Sequence, residues 1–257
     1  MLILLSPAKS LDFQSPNRTV RTSQPRFLDA SEELVRHMRG KDADALKRLM
    51  GVSSDIAELN AERFETWTGR TTRRNGRQAI LAFMGDVYRA FDAQSLDGRS
   101  LAYAQRSLRI LSGLYGLLRP LDLIEPYRLE MGLSLPSLDA GNLYQFWGSR
   151  ITDALQDEVG SKKGQIVVNL ASDEYANAVD FSKLNARVVH PKFREWRRGA
   201  YRVVSFNAKR ARGHMARFLI DGRVNSYRGL LQFDRDNYVL NESLSMRDRP
   251  MFTRSSP

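Results

Sequence analysis

The chain has 257 residues, of which 42% are hydrophobic and 27% charged, enough apolar content for a sizeable core without disulfides or metals. It has no cysteine, which excludes disulfides, thiolate catalysis, iron–sulfur clusters and zinc fingers, and makes a reducing cytoplasm the expected compartment. The net charge of +11 points to a polyanionic partner such as nucleic acid or an anionic membrane surface, or else to a generally basic protein, and where the charge sits decides between them. No apolar run approaches the roughly 18–20 residues of a membrane span, so no membrane partner is expected.

In chain order, the opening apolar run 2–5 is too short for a signal segment and reads as a buried first strand. A loop over 6–13 follows, then a loose stretch with Pro16 and Pro25. Apolar spacing predicts helices over 27–39, 43–50, 53–66, 78–89 and 101–111, with Ser53 as a cap and a polar loop at 70–77. Beyond residue 143 the pattern alternates: a helix over 143–159, a buried strand 165–170, a short helix 173–178, then strands around Val188, Val203 and Leu230. Strands at both ends and helices between predict an α/β or mixed α+β chain. The simplest assembly is a single compact domain over 1–236. In it one mixed sheet pairs the first strand with the carboxy-terminal strands, a largely helical middle is inserted, and 237–257 is a flexible tail.

The charge is concentrated. Arg187, Lys192, Arg194, Arg197, Arg198, Arg202, Lys209, Arg210, Arg212, Arg217, Arg223 and Arg228 are opposed within their window only by Glu195 and Asp221, so 187–228 supplies +10 of the +11. Arginine suits phosphate because guanidinium donates in a planar fork. From Asn207 the pattern is helical, with Ala211, Met215, Phe218 and Leu219 on one stripe and Lys209, Arg210, Arg212 and Arg217 on the remaining faces. Acidic i+4 partners are nearly absent, so these cations are expected to be free for an external anion.

Around Ser112-Gly113-Leu114-Tyr115-Gly116 an amphipathic helix is expected to end in a tight apolar turn bracketed by glycines. This is similar to the helix-hairpin-helix element of DNA-repair proteins, whose backbone amides approach phosphate. An ordinary left-handed cap and turn accounts for it equally well.

Nine segments, taken together and in order, resemble the YaaA family of bacterial peroxide-stress proteins. They run over 4–12 (Ser6-Pro7-Ala8-Lys9-Ser10 at its centre), 78–83, 85–88, 111–116, 119–122, 126–132, 143–148, 168–175 and 209–213. The resemblance spans Met1 to about Phe233. It implies protection against hydrogen peroxide, in part by restraining free iron, and a single-domain α/β fold. It also implies a helix-hairpin-helix-like element and a positively charged cleft that binds DNA. No catalytic residues come with it.

Direct peroxide or metal chemistry is disfavoured, because peroxidatic cysteine is absent and His37, His190 and His214 are scattered. Neither a metal nor another cofactor is expected. The favoured partner is double-stranded or distorted DNA, held by Lys9, Gly113, Gly116, Arg119, Arg128, Lys209, Arg210, Arg212 and Arg217, with a monomer as the default state. The alternative is a repair enzyme of the base-excision glycosylase type, with Lys9, Asp12, Glu130, Glu174 or Lys209 as catalytic candidates. Ser172-Asp173-Glu174-Tyr175 follows a buried strand, where α/β proteins place ligand groups. Asn169, Ser172, Tyr175 or Trp147 would then contact a base, Phe146 and Trp147 reading equally as core.

Overall fold

Four consecutive apolar residues make Leu2–Leu5 a strand buried on both faces, and it lies at the centre of a five-stranded sheet. On one side it pairs in parallel with Leu108–Ser112, which turns back antiparallel to Gly116–Leu118. On the other it pairs in parallel with Ile166–Asn169, itself parallel to Arg187–Val189. The computed structural model describes residues 1–15, 21–136, 138–161 and 163–255, so Pro16 of the expected loose stretch lies outside the described residues. Among the described residues there are eleven α-helices and four sheets, a mixed α+β fold.

The single expected sheet is two. A separate four-stranded sheet has the order Ala200–Arg202, Lys192–Arg197, Met251–Ser255, Val239–Leu240. Lys192–Arg197 buries Phe193 and Glu195 and exposes Arg194 and Trp196, the alternation of a strand with one solvated face. The expected flexible tail contributes an inner strand of this sheet. Met251–Ser255 runs parallel to Lys192–Arg197 with Phe252 fully buried, because Phe252 stacks on Phe193 and meets Phe233 edge-on. The expected strand at Leu230 is instead a helical turn, Tyr227–Leu230.

Helices Leu28–Arg39, Ala43–Met50 and Ser54–Thr66 form close to where the periodicity placed them, although the Ser53 side chain makes no cap bond. Elsewhere tertiary pairing overrides local pattern. The helix expected over 101–111 stops at Ser107, since Leu108–Ser112 is apolar enough to be buried beside Leu2–Leu5. The 78–89 helix is interrupted by Phe83–Met84, which pairs with Ser10–Leu11. The 143–159 helix breaks at Gly148.

The helix-hairpin-helix expectation is corrected. Residues 108–118 form a β-hairpin at the sheet edge, and Gly113 and Gly116 are both buried. A Cβ at Gly113 would overlap the Leu129 carbonyl, and one at Gly116 (φ +65°) would meet the Trp147 ring, whose Nε1 donates to the Gly113 carbonyl at 2.9 Å. These glycines admit protein, not phosphate. The long helix Ser205–Asp221 closes the other side of the molecule against Asp86–Phe91, a contact tight enough that a Cβ at Gly213 would overlap the Val87 carbonyl.

Candidate functional site

The strands on either side of Leu2–Leu5 leave it in opposite directions along the sheet, so the carboxyl ends of Leu2–Leu5 and Ile166–Asn169 form a topological switch point. Open α/β sheets bind ligands in the crevice such a point creates. Here the two ends are joined: the Ser172 amide donates to Ser6 Oγ at 2.8 Å, and Ser6 Oγ lies 3.2 Å from Ser172 Oγ. Tyr88 donates its hydroxyl to the Ser6 carbonyl at 2.8 Å. Outside them opens a cavity of about 450 Å³, lined by residues of the 6–10, 84–88, 127–130 and 170–175 segments and by Lys209 and Arg212.

Apart from Asp86, which makes no side-chain hydrogen bond or ion pair among the described residues, its charges fall into two groups. Glu130 is buried, and its Oε1 receives Arg128 Nε at 3.0 Å, Arg128 Nη2 at 2.8 Å and the exposed Lys9 Nζ at 3.4 Å, while its Oε2 has no hydrogen-bond partner. The second group is open. Lys209 and Arg212, one helical turn apart, make no side-chain hydrogen bond or ion pair among the described residues. Burial pulls the Arg212 pKa down, with the Asp173 charge opposing that effect. Glu174 Oε1 accepts the Gly132 amide at 3.1 Å, and no hydrogen bond is made to its Oε2.

Tyr88, Tyr127 and Tyr175 form the apolar wall. Burial drives each phenol above its ordinary pKa, so all three stay neutral, and Tyr127 shares a 2.6 Å hydrogen bond with Ser112.

The structure brings together Lys9, Arg128, Glu130, Ser172, Glu174, Tyr175, Lys209 and Arg212 from the sequence candidates. The others lie elsewhere. Asp12 caps the turn at Gln14 and Ser15, with Arg77 Nη2 3.8 Å away. Arg119 is tied to Asp122 and the Gln24 carbonyl. Arg210 sits 3.9 Å from Asp236 and over the Phe206 ring. Arg217 is the clearest departure from the free-cation expectation: its Nη1 donates to the carbonyls of Phe91 and Asp92, and its Nε to Asp221. It stitches the long helix to the end of Asp86–Phe91. Asn169 faces a different hollow, its Nδ2 3.2 Å from His190 Nδ1, and Trp147 is fully buried. Ser6, Tyr88 and Tyr127 were not singled out, although each lies in a segment that carries the family resemblance.

Beside the long helix stands a basic hairpin. Lys192–Arg197 and Ala200–Arg202 are joined by Arg198 and Gly199, both at positive φ (51° and 79°). That is the geometry of a two-residue type I′ turn, for which Asn-Gly is the usual choice. Trp196, 47% exposed, meets Tyr201 edge-on across the strands at 5.0 Å. Arg194, Arg198 and Arg202 are exposed and make no side-chain hydrogen bond or ion pair among the described residues. Arg197 is held by Glu195.

Five of the segments carrying the resemblance thus meet at one cavity, and a family model described as peroxide stress protein YaaA matches residues 1–244. The chain belongs to that family. Among the described residues of this YaaA-family chain no three His, Asp or Glu side chains are grouped as metal ligands, and no helix is long and apolar enough to cross a membrane.

Proposed function

We propose that this peroxide-stress protein binds DNA, and that it prefers DNA distorted enough to offer an unpaired base. The observation that carries the reading is the 192–202 hairpin, where Trp196 is exposed with Arg194 on the same strand face, and where Arg194, Arg198 and Arg202 make no side-chain hydrogen bond or ion pair among the described residues. Guanidinium groups neutralise phosphates without regard to sequence, and an exposed indole stacks on any unstacked base. Arg198 supports the reading further, because a long side chain is kept at a positive φ that asparagine or glycine would occupy with less strain. The hairpin leads into the helix whose Lys209 and Arg212 line the cavity.

Fluorescence anisotropy with a perfect duplex and a duplex carrying a three-nucleotide bulge, titrated with salt, tests this. Replacing Arg194, Arg198 and Arg202 with alanine is expected to reduce the log–log salt slope by about 2–3, each phosphate contributing about 0.9. Trp196→Ala is expected to remove the preference for the bulge. A triple variant that binds like the wild type overturns the reading.

Glu130 and Glu174 in one cavity favour a second reading, hydrolysis of a bound nucleotide's N-glycosidic bond, in which water adds to the sugar C1′ and the base departs protonated. Base release from lesion-bearing DNA, lost in Glu174→Gln, is its signature.

A further inference from the structure

The polar groups of the cavity that the fold leaves unused describe a ligand. Two cations, Lys209 and Arg212, stand on the same face of the long helix with no side-chain hydrogen bond or ion pair among the described residues. The same cavity holds Glu174, whose Oε1 takes the Gly132 amide and whose Oε2 takes no hydrogen bond among the described residues; Glu130 Oε2 and the Asp86 carboxylate likewise take none. The neutral tyrosines Tyr88, Tyr127 and Tyr175 line the same cavity, the first two with hydroxyls engaged with the Ser6 carbonyl and Ser112. The ligand therefore needs an anionic group for the cations, a flat body for the aromatic wall, and N–H donors for the carboxylate. It must also fit about 450 Å³, within the range of small-molecule sites.

A nucleoside monophosphate meets all of these, and the base can be specified. The Watson–Crick edge of guanine presents two adjacent donors, N1–H and N2–H, which a carboxylate accepts together. Thymine presents a single N3–H between two carbonyl oxygens that a carboxylate repels. Adenine and cytosine each offer one amino group beside a ring acceptor. We propose that the cavity is a guanine-nucleotide site, with the phosphate on Arg212 and Lys209 and the base edge on Glu174. The ligand is either a free nucleotide or a guanine turned out of DNA. The proposal takes from the DNA reading only its choice of nucleotide, and either can fail alone.

The test is isothermal titration of the full chain with dGMP, dTMP, deoxyguanosine and inorganic phosphate. dGMP is expected to bind at least tenfold more tightly than dTMP and than deoxyguanosine, and phosphate alone more weakly than dGMP. Arg212→Gln is expected to weaken dGMP and dTMP equally, by about tenfold, preserving their ratio. Glu174→Gln is expected to bring that ratio close to one. Alanine at Arg194, Arg198 and Arg202 leaves dGMP binding unchanged, which separates this site from the hairpin. Competition of dGMP with a bulged-guanine duplex, but not with a bulged-thymine duplex, identifies an extruded base as a source. Equal affinity for dGMP and dTMP, or no binding of either by the wild type, overturns the proposal without reference to any variant.

Discussion

The Ser172 amide donates to Ser6 Oγ at 2.8 Å, so a residue beyond the second strand of the sequence-distant pair is fastened to a residue just past the first. The two loops that open the cavity are thereby fastened to each other directly past their strands, which limits their freedom to move apart.

Removing that acceptor exposes its value. Ser6→Ala leaves the Ser172 amide without its partner and is expected to lower stability by about 1–2 kcal/mol. Ser172→Ala loses only the longer 3.2 Å hydroxyl contact and is expected to cost less than half as much. Urea unfolding, with unchanged slope and a shifted midpoint, reads the difference.

Arg217 and the hairpin arginines are expected to separate cleanly. Arg217→Ala strips donors from the Phe91 and Asp92 carbonyls and from Asp221, lowering stability by about 1–3 kcal/mol while DNA affinity stays constant. Thermal melting and anisotropy on one protein sample decide it.

Arg198→Asn should move the two properties in opposite directions. Asparagine accepts the positive φ at the turn more readily, stabilising by up to about 1 kcal/mol, yet the lost guanidinium weakens DNA binding. A variant that is less stable but binds normally contradicts the role given to this residue.

Gly116→Ala discriminates the hairpin seen here from a phosphate-binding turn. It forces a Cβ toward the Trp147 ring at φ +65°, and the expected loss is about 2–4 kcal/mol of stability. A phosphate-binding glycine would instead lose DNA affinity with stability intact.

Acid should loosen the second sheet first. Burial pushes the Glu195 pKa up, but hydrogen bonds from Arg197, Tyr238 and Arg254 outweigh it and leave the carboxyl below its ordinary 4.5. A depressed carboxylate stabilises the fold above its unfolded pKa, so this contribution is intact above about pH 4.5 and is lost as pH falls through the lower folded value. Urea midpoints between pH 3 and 7 should drop at the acid end. Glu195→Gln, weaker at neutral pH because Arg254 keeps only Asp236 of its two carboxylate partners, should show a shallower drop.

Much of this was legible in the residues. Leu2–Leu5 and Ile166–Asn169 announce themselves as buried strands by unbroken apolar runs, and Ser172 to Tyr175 follow as strand-end residues should. The charge window correctly singled out a basic segment. What it concealed was which cations are spent internally, because Arg217 adds to its i+4 partner Asp221 the carbonyls of Phe91 and Asp92, more than a hundred residues away in sequence. Leu108–Ser112 read as helix because its spacing continues that of Gly98–Ser107, and only the vacancy beside Leu2–Leu5 makes it a strand. Tyr88 and Tyr127 carry no local signal, since an aromatic among apolar neighbours reads as core until the fold turns it toward a cavity.

The parallel pairing of Lys192–Arg197 with Met251–Ser255 also sets an order of assembly during synthesis. The hairpin emerges some 50 residues before the strand that supports it, which at about 5–20 residues per second is an interval of roughly 3–10 seconds. Throughout it, a strand carrying Phe193 and Trp196 has an unpaired edge, and the arginines along it are the charges that keep nascent chains from pairing there.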